Sequence, residues 1–544
     1  MKVGFGHGRF IHLFTVTLLL GVLFFAQGVT PVSAGDGDGP PVRQVELIVS
    51  STAYEWWLVS WSDNEAQCQI FVNDKEFPSN AAILDQCGDD LFEEWIETEP
   101  CSNLAEGKDA STCSGVYLHY FMPVEHEESI IVDLPVPQAW ISIDGCTPTP
   151  AENYCANLPQ LLITAKEPLP NEITESIQGS INGKAFACAG SDCAIPLTTT
   201  SLKGVEVAFW TVSSYGDQSE HFTGHVRVMP APGTGTPGES GWFVDVVSKQ
   251  WRGQEIEQCA QRWEAFPSVG APPNWLSNSD QADQLASNEP YLYLAGQLIS
   301  SGGVDASACA NNGLEFNGYA SACGLEKARN EVDIWQDRFD AEIIATAQET
   351  GIPAQLLKNL FAAESQFWPG ATLNWIEEFG LGHLSATGTD SVLLWNTEFF
   401  QQFCPLVLSE HACQAGYPHL DEDNQAILRG ALAIKTNAKC DTCPLGIDLS
   451  RADFSIEIFA QTLIANCEQV GQMVYNTRGE TAGRVSSYED LWRFTLANYY
   501  AGPGCVAKAI QSVPFTQELN WEKITPKLDA NCPWASEYVE KITQ

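Results

Sequence analysis

The sequence predicts a multidomain chain in which N-terminal all-β sandwich modules precede a mainly α-helical domain. Three observations predict it. Short β-rich runs broken by Pro, Asn and Gly recur from Val45 to Val228. A Pro/Gly-rich stretch, Pro230 to Gly241 (PAPGTGTPGESG), then interrupts the pattern. From Val332 the apolar residues recur at helical spacing nearly to the end. The 544 residues leave room for about three or four domains of ordinary size.

Residues 1–34 read as a leader. Lys2 and Arg9 give a basic start, Ile11 to Ala26 is mostly apolar, and Val32-Ser33-Ala34 ends in the small-x-small pattern of a signal-peptidase site. The mature chain is expected to begin at Gly35; an uncleaved membrane anchor is the competing reading of the same residues. No later segment is apolar and long enough to span a bilayer, so no integral membrane segment is expected once the leader is removed. All 18 cysteines follow the leader, an even number that suits an oxidising compartment. Cys188/Cys193, Cys309/Cys323 and Cys404/Cys413 are the easiest pairs to bridge. Acidic residues outnumber basic ones by 69 to 27, and a surface of that sign repels nucleic acid and anionic lipid.

The first module, 35–168, carries the runs Val45–Val49, Trp57–Trp61, Cys68–Val72, Val116–Phe121 and Ser129–Asp133, continuing to Thr164. A smaller β module spans 169–230, with Asn182-Gly183 as a hairpin turn. Both resemble immunoglobulin- or fibronectin-like domains in a generic way. Residues 231–241 read as a linker by composition, and 242–331 as a mixed extension without a clear type. Trp56, Trp57 and Trp61 suit either sugar stacking or a strand core.

The chemistry is expected between Phe339 and Pro369. One helix stops at Gly351, and Pro353 stands where the next begins. Leu356, Leu357, Leu360 and Phe361 make its apolar stripe, and Glu364 falls in the middle of that stripe at the C-terminal end. Desolvation and the negative end of the helix dipole both disfavour the carboxylate there. A carboxyl kept protonated is what glycosidic-bond protonation requires. A Glu that snorkels or pairs with an Arg is the competing reading.

Ala363-Glu364-Ser365-Gln366-Phe367-Trp368-Pro369-Gly370-Ala371 resembles the Glu-Ser-x-Phe-x-Pro-x-Ala segment of soluble-lytic-transglycosylase domains, relatives of goose-type lysozyme. Gly380-Leu381-Gly382-His383-Leu384 stands where that family has Gly-Leu-Met-Gln-Leu. Leu496 to Gly504 is similar to its Ala-Tyr-Asn-Ala-Gly-Pro-Gly motif, and Glu537-Tyr538-Val539-Glu540-Lys541-Ile542 to its closing helix. The resemblance covers about 332–544 and implies a lysozyme-like domain there. It implies Glu364 as general acid and base, with Ser365, Gly382, His383, Tyr499 and Tyr500 binding substrate. Peptidoglycan glycan strands would be the partner, with no cofactor and no metal. The outcome would be 1,6-anhydro ring formation, which needs a single carboxyl; Glu377 and Glu378 read as solvated surface, and Asp390 matches no family nucleophile.

Gly382 and Gly380 are expected to let backbone approach the sugar, and Tyr499 to reach Glu364. Ser486-x-x-Glu489 reads as the capping box of the helix that carries Tyr499. Three positions depart from the family: Gly382 for Met, His383 for Gln, and Tyr500 for Asn. His383 is expected to charge below about pH 6.5. These departures leave open a hydrolytic muramidase on the same fold, or a non-catalytic cell-surface glycan-binding protein. Cys440-x-x-Cys443 with Cys404, Cys413 and His411 suits zinc or, better in an exported chain, disulfides. Oligomeric state is not legible.

Overall fold

Two strands near the N-terminus run far longer than expected, each joining two of the short β-rich runs. A computed structural model describes residues 42–101, 110–146, 154–231, 241–252, 258–270, 272–279, 281–370 and 379–544. The expected leader and its cleavage site lie outside them. The chain divides into two units, the first reaching to Val136 and taking in Pro168–Pro170 and Tyr215–Asp217.

In the first unit, β1 (Gln44–Ser60) absorbs two of the expected strands, and β3 (Val116–Asp133) absorbs two more. With β2 (Ala66–Val72) they form an antiparallel sheet ordered β2-β1-β3. Pro123, which reads as a breaker, sits opposite Tyr54 beside a register shift, where a missing N–H is tolerated. Two helices, α1 (Asn80–Cys87) and α2 (Asp89–Glu97), pack on the sheet instead of a second sheet. Trp56, Leu58, Ile70, Ile83 and Val116 make the small core. Cys68–Cys87 and Cys101–Cys113 brace it.

The second unit opens with strands that pair across the boundary expected at 168. One sheet is β4 (Gln138–Asp144), β6 (Gln160–Lys166) and β9 (Asp192–Pro196) in the order β4-β6-β9. The other contains β5 (Tyr154–Cys155), β7 (Thr174–Ile181), β8 (Lys184–Ala189), β10 (Val205–Ser213), β11 (Phe222–Pro230) and β12 (Trp242–Val247), ordered β5-β12-β11-β10-β7-β8. Inward residues of both, among them Ile141, Ile163, Ile177, Phe209 and Val228, form one core. Asn182 and Gly183 turn β7 into β8 at φ 49° and 74°, as the Asn-Gly pair requires.

The stretch read as a linker joins two neighbouring strands: Ala231 donates to the Gly241 carbonyl at 2.9 Å, and Pro230 pairs with Trp242. Its composition reports a loop, not a boundary; residues 232–240 lie outside the described residues. The extension after 242 likewise belongs to its neighbours, first as β12 and then as part of the helical core.

The helices are α3 (Gln258–Trp263), α4 (Leu292–Ser300), α5 (Ala322–Asp337), α6 (Asp340–Thr350), α7 (Ala354–Glu364), α8 (Ala386–Trp395), α9 (Thr397–Phe403), α10 (Glu410–Gln414) and α11 (Glu422–Thr436). Then follow α12 (Leu449–Arg478), α13 (Ala482–Val485), α14 (Tyr488–Ala501), α15 (Pro503–Gln511), α16 (Trp521–Asn531) and α17 (Ala535–Ile542). The 30-residue α12 is buried along most of its length and serves as the axis. A continuous core runs from Cys259 to Ile542. Trp263 is fully buried against Trp492 and donates its indole N–H to the Cys467 carbonyl at 2.9 Å. Cys259–Cys467 fastens α3 to α12.

All eighteen cysteines are paired, including the three close pairs expected from sequence. Among the described residues no helix is long and apolar enough to cross a membrane. Nine disulfides are consistent with an extracytoplasmic chain.

Candidate active site

Glu364 closes α7 as its last residue. Gly351 ends α6 in the left-handed region at φ 67°, and Pro353 starts α7 with its first free amide, that of Ala354, bonded to Asn278 Oδ1 at 2.9 Å. Leu356, Leu357, Leu360 and Phe361 are fully buried, so the stripe holds the helix against the core and leaves Glu364 half-buried at its end. Nearly two turns earlier Lys358 is also fully buried, paired with Asp340 at 2.5 Å. Burial pushes the Asp340 carboxyl up to about 6 and the Lys358 ammonium down, each opposed by the other's charge.

The Glu364 carboxyl is held from across the site. Tyr538 of α17 donates its hydroxyl to Glu364 Oε1. Burial, and next the Glu364 charge, push that phenol well above its usual value, so it keeps its proton and remains a donor. Tyr500, in the last turn of α14, stacks on the Tyr538 ring with centroids 4.4 Å apart and planes 17° apart. Its outer surface is 47 % exposed. Asn359 Nδ2 on α7 bonds the Ile542 carbonyl at 2.9 Å, which fixes α17 beside α7.

The segment Gly380–Leu384 forms a tight loop closed by the Phe379–Leu384 bridge. Tyr499 donates its hydroxyl to the Gly382 carbonyl at 2.7 Å, and the Leu381 amide bonds Ser455 Oγ on α12 at 3.0 Å. A Cβ at Gly382 would lie 1.9 Å from Phe459 Cδ2. Its glycine therefore lets the loop lie flat on α12, a packing reason for glycine at this position. His383 sits at φ 48°, and burial pushes its imidazole down to about 4. Burial thus disfavours the charge that the sequence allows below about pH 6.5. Ser365 is 1 % exposed and turns its hydroxyl back to the Phe361 carbonyl at 3.2 Å.

The structure thus brings Glu364, Gly382, Tyr499 and Tyr500 to neighbouring ends of α7, α14 and α17, and the Tyr538 hydroxyl joins them on Glu364. Tyr538 stood in the closing helix motif, and only its resemblance to a family segment marked it. The cap of α14 also differs: Ser487 accepts from the Asp490 amide at 3.2 Å, one residue later than the expected box. Glu377 and Glu378 lie outside the described residues. Asp390 is engaged by the Tyr417 hydroxyl and by Arg429 at 3.0 Å. Cys404–Cys413 and Cys440–Cys443 are disulfides, which removes the thiolates a zinc site would need. Trp56 is core, while Trp57 and Trp61 stack on Phe121 and Tyr117. No protein-family model, curated protein or solved structure matches the chain.

Proposed function

We propose that the chain is a peptidoglycan lytic transglycosylase of the cell envelope or the secreted fraction. In this reading the helical region is a lysozyme-like domain, and the β-rich region holds immunoglobulin- or fibronectin-like modules. The observation that carries the reading is the Glu364 carboxyl at the end of an apolar helix, held by the Tyr538 hydroxyl.

Glu364, protonated, gives its proton to the oxygen of the β-1,4 bond between N-acetylmuramic acid and N-acetylglucosamine as the C1–O bond breaks. The resulting carboxylate then takes the proton of the muramyl 6-hydroxyl while that oxygen bonds to C1. A 1,6-anhydro ring closes, and Glu364 regains its starting protonation without consuming water. Tyr538 orients the carboxyl, and the exposed ring of Tyr500 offers a face for a sugar.

Mass analysis of fragments released from purified peptidoglycan tests this. Anhydro ends are expected from the wild type. Glu364→Gln, nearly isosteric, should lower kcat by about 10²–10⁴-fold with circular dichroism and melting unchanged. Reducing ends would transfer the reading to a hydrolytic muramidase. Fragment-free binding by the wild type would make it a glycan-binding protein.

A further inference from the structure

The turn after Glu364 is made in an unusual way. Gln366 and Phe367 both occupy the left-handed region, at φ 48° and 61°. Neither is a glycine, and two consecutive residues of this kind persist only where their surroundings impose them. What imposes them is visible. Gln366 Oε1 accepts from the amides of Tyr293 at 2.8 Å and Leu294 at 3.2 Å. Those amides belong to the first turn of α4, whose N-terminal N–H groups have no partner within the helix. Tyr291, which precedes α4, is itself left-handed and supplies no side-chain cap.

The neighbouring residue is fixed as firmly. The Phe367 ring is fully buried against Phe339 and Phe361. Its carbonyl accepts the Trp335 indole N–H at 2.8 Å, and Lys358 Nζ lies 4.7 Å over its ring. The backbone leaving Glu364 is thus pinned to α4, α5 and the buried Lys358–Asp340 pair, none of them part of the expected motif.

We infer that Gln366 is a positioning residue for Glu364: its side chain caps α4 and thereby holds the left-handed turn that aims the acid at the substrate. This rests on the transglycosylase reading for its catalytic consequence, but the anchor itself is independent of it. Removing the acceptor should let residues 365–367 relax, and a carboxyl displaced by about an ångström loses on the order of 10²-fold in rate.

Two variants isolate the acceptor. Gln366→Met keeps the length of the side chain and removes the oxygen. Gln366→Asn withdraws the oxygen by one methylene but favours the left-handed region, so its fold is protected. Both should lose roughly 10²-fold in kcat with KM changed by less than about threefold, and both should speed amide exchange at Tyr293 and Leu294. Gln366→Glu restores an acceptor at the α4 N-terminus and should retain most of kcat, with a shifted pH–rate profile because a second carboxyl now stands two residues from Glu364. Wild-type kcat in Gln366→Met or Gln366→Asn overturns the inference. So does unchanged exchange at Tyr293 and Leu294, or a Gln366→Glu variant as slow as Gln366→Met. If Glu364→Gln keeps wild-type rates, the transglycosylase reading fails instead, while the exchange measurement still decides whether Gln366 holds the turn.

Discussion

The first unit and the helical region bury their apolar residues on very different scales. Up to Val136 the core is five buried side chains between one three-stranded sheet and its helices, and Ile48, Phe77, Ile96 and Ile131 remain more than half exposed. Between Cys259 and Ile542 one core is continuous. A small core leaves much of its stabilisation to two short-range disulfides, whereas the large one draws on residues from both sides of Val332. The difference teaches where the chain can be cut.

The sharpest way to break this comparison is truncation. A chain starting at Pro137 should keep the helical melting transition within a few degrees of the full-length protein. A chain starting at Val332 should fail to fold, although it holds every residue of the expected motifs. It lacks Trp263, Trp275, Leu294 and Leu298, all nearly or fully buried. Losses of about 2–5 kcal/mol for each such side chain together exceed the ordinary stability of a domain. Expression in an oxidising host with circular dichroism decides it, and a soluble, cooperative 332–544 fragment would break the comparison.

A smaller effect comes from His383. Its folded value near 4 lies below the value of about 6.5 expected unfolded, so protonation favours the unfolded chain. Its contribution is whole above about pH 6.5 and is lost as pH falls toward 4, by at most about 3 kcal/mol. Denaturant titrations at pH 7 and pH 4.5 should show a steeper loss in wild type than in His383→Gln. Equal slopes would mean that the imidazole is solvated.

The smallest effect concerns one methyl group. Gly382→Ala places a carbon against the Phe459 ring and should cost about 1–3 kcal/mol, lowering the melting temperature by several degrees. The same change at Gly302, where a Cβ meets nothing, tests backbone strain without crowding, since Gly302 is at φ 80°. If Gly382→Ala melts like wild type, the loop is not pressed on α12.

Much of the helical region was legible because period and punctuation agree there. Gly351, Pro353 and the Leu356–Phe361 stripe locate α7 and place Glu364 at its end, as observed. The β-rich boundaries were not legible, because pairing between β6 and β9 or across 231–241 depends on partners that composition does not name. The site was read in part. Tyr538 and Gln366 meet Glu364 and α4 through folds of the chain spanning 174 and 73 residues, beyond the reach of any local pattern. The Lys358–Asp340 pair lies beyond that reach too, since nothing nearby in sequence announces that Asp340 will be carried in beside the lysine.

The Cys259–Cys467 link sets an order of events during biosynthesis. The other eight pairs join cysteines 3 to 27 residues apart, so each partner arrives soon after the first. Cys259 must wait for another 208 residues. During that wait Cys309, Cys323, Cys404, Cys413, Cys440 and Cys443 all pass as competitors. Any bridge they form with it must be undone by thiolate attack before α12 can seat. A chain interrupted between 443 and 467 would therefore leave Cys259 as the one cysteine without its native partner.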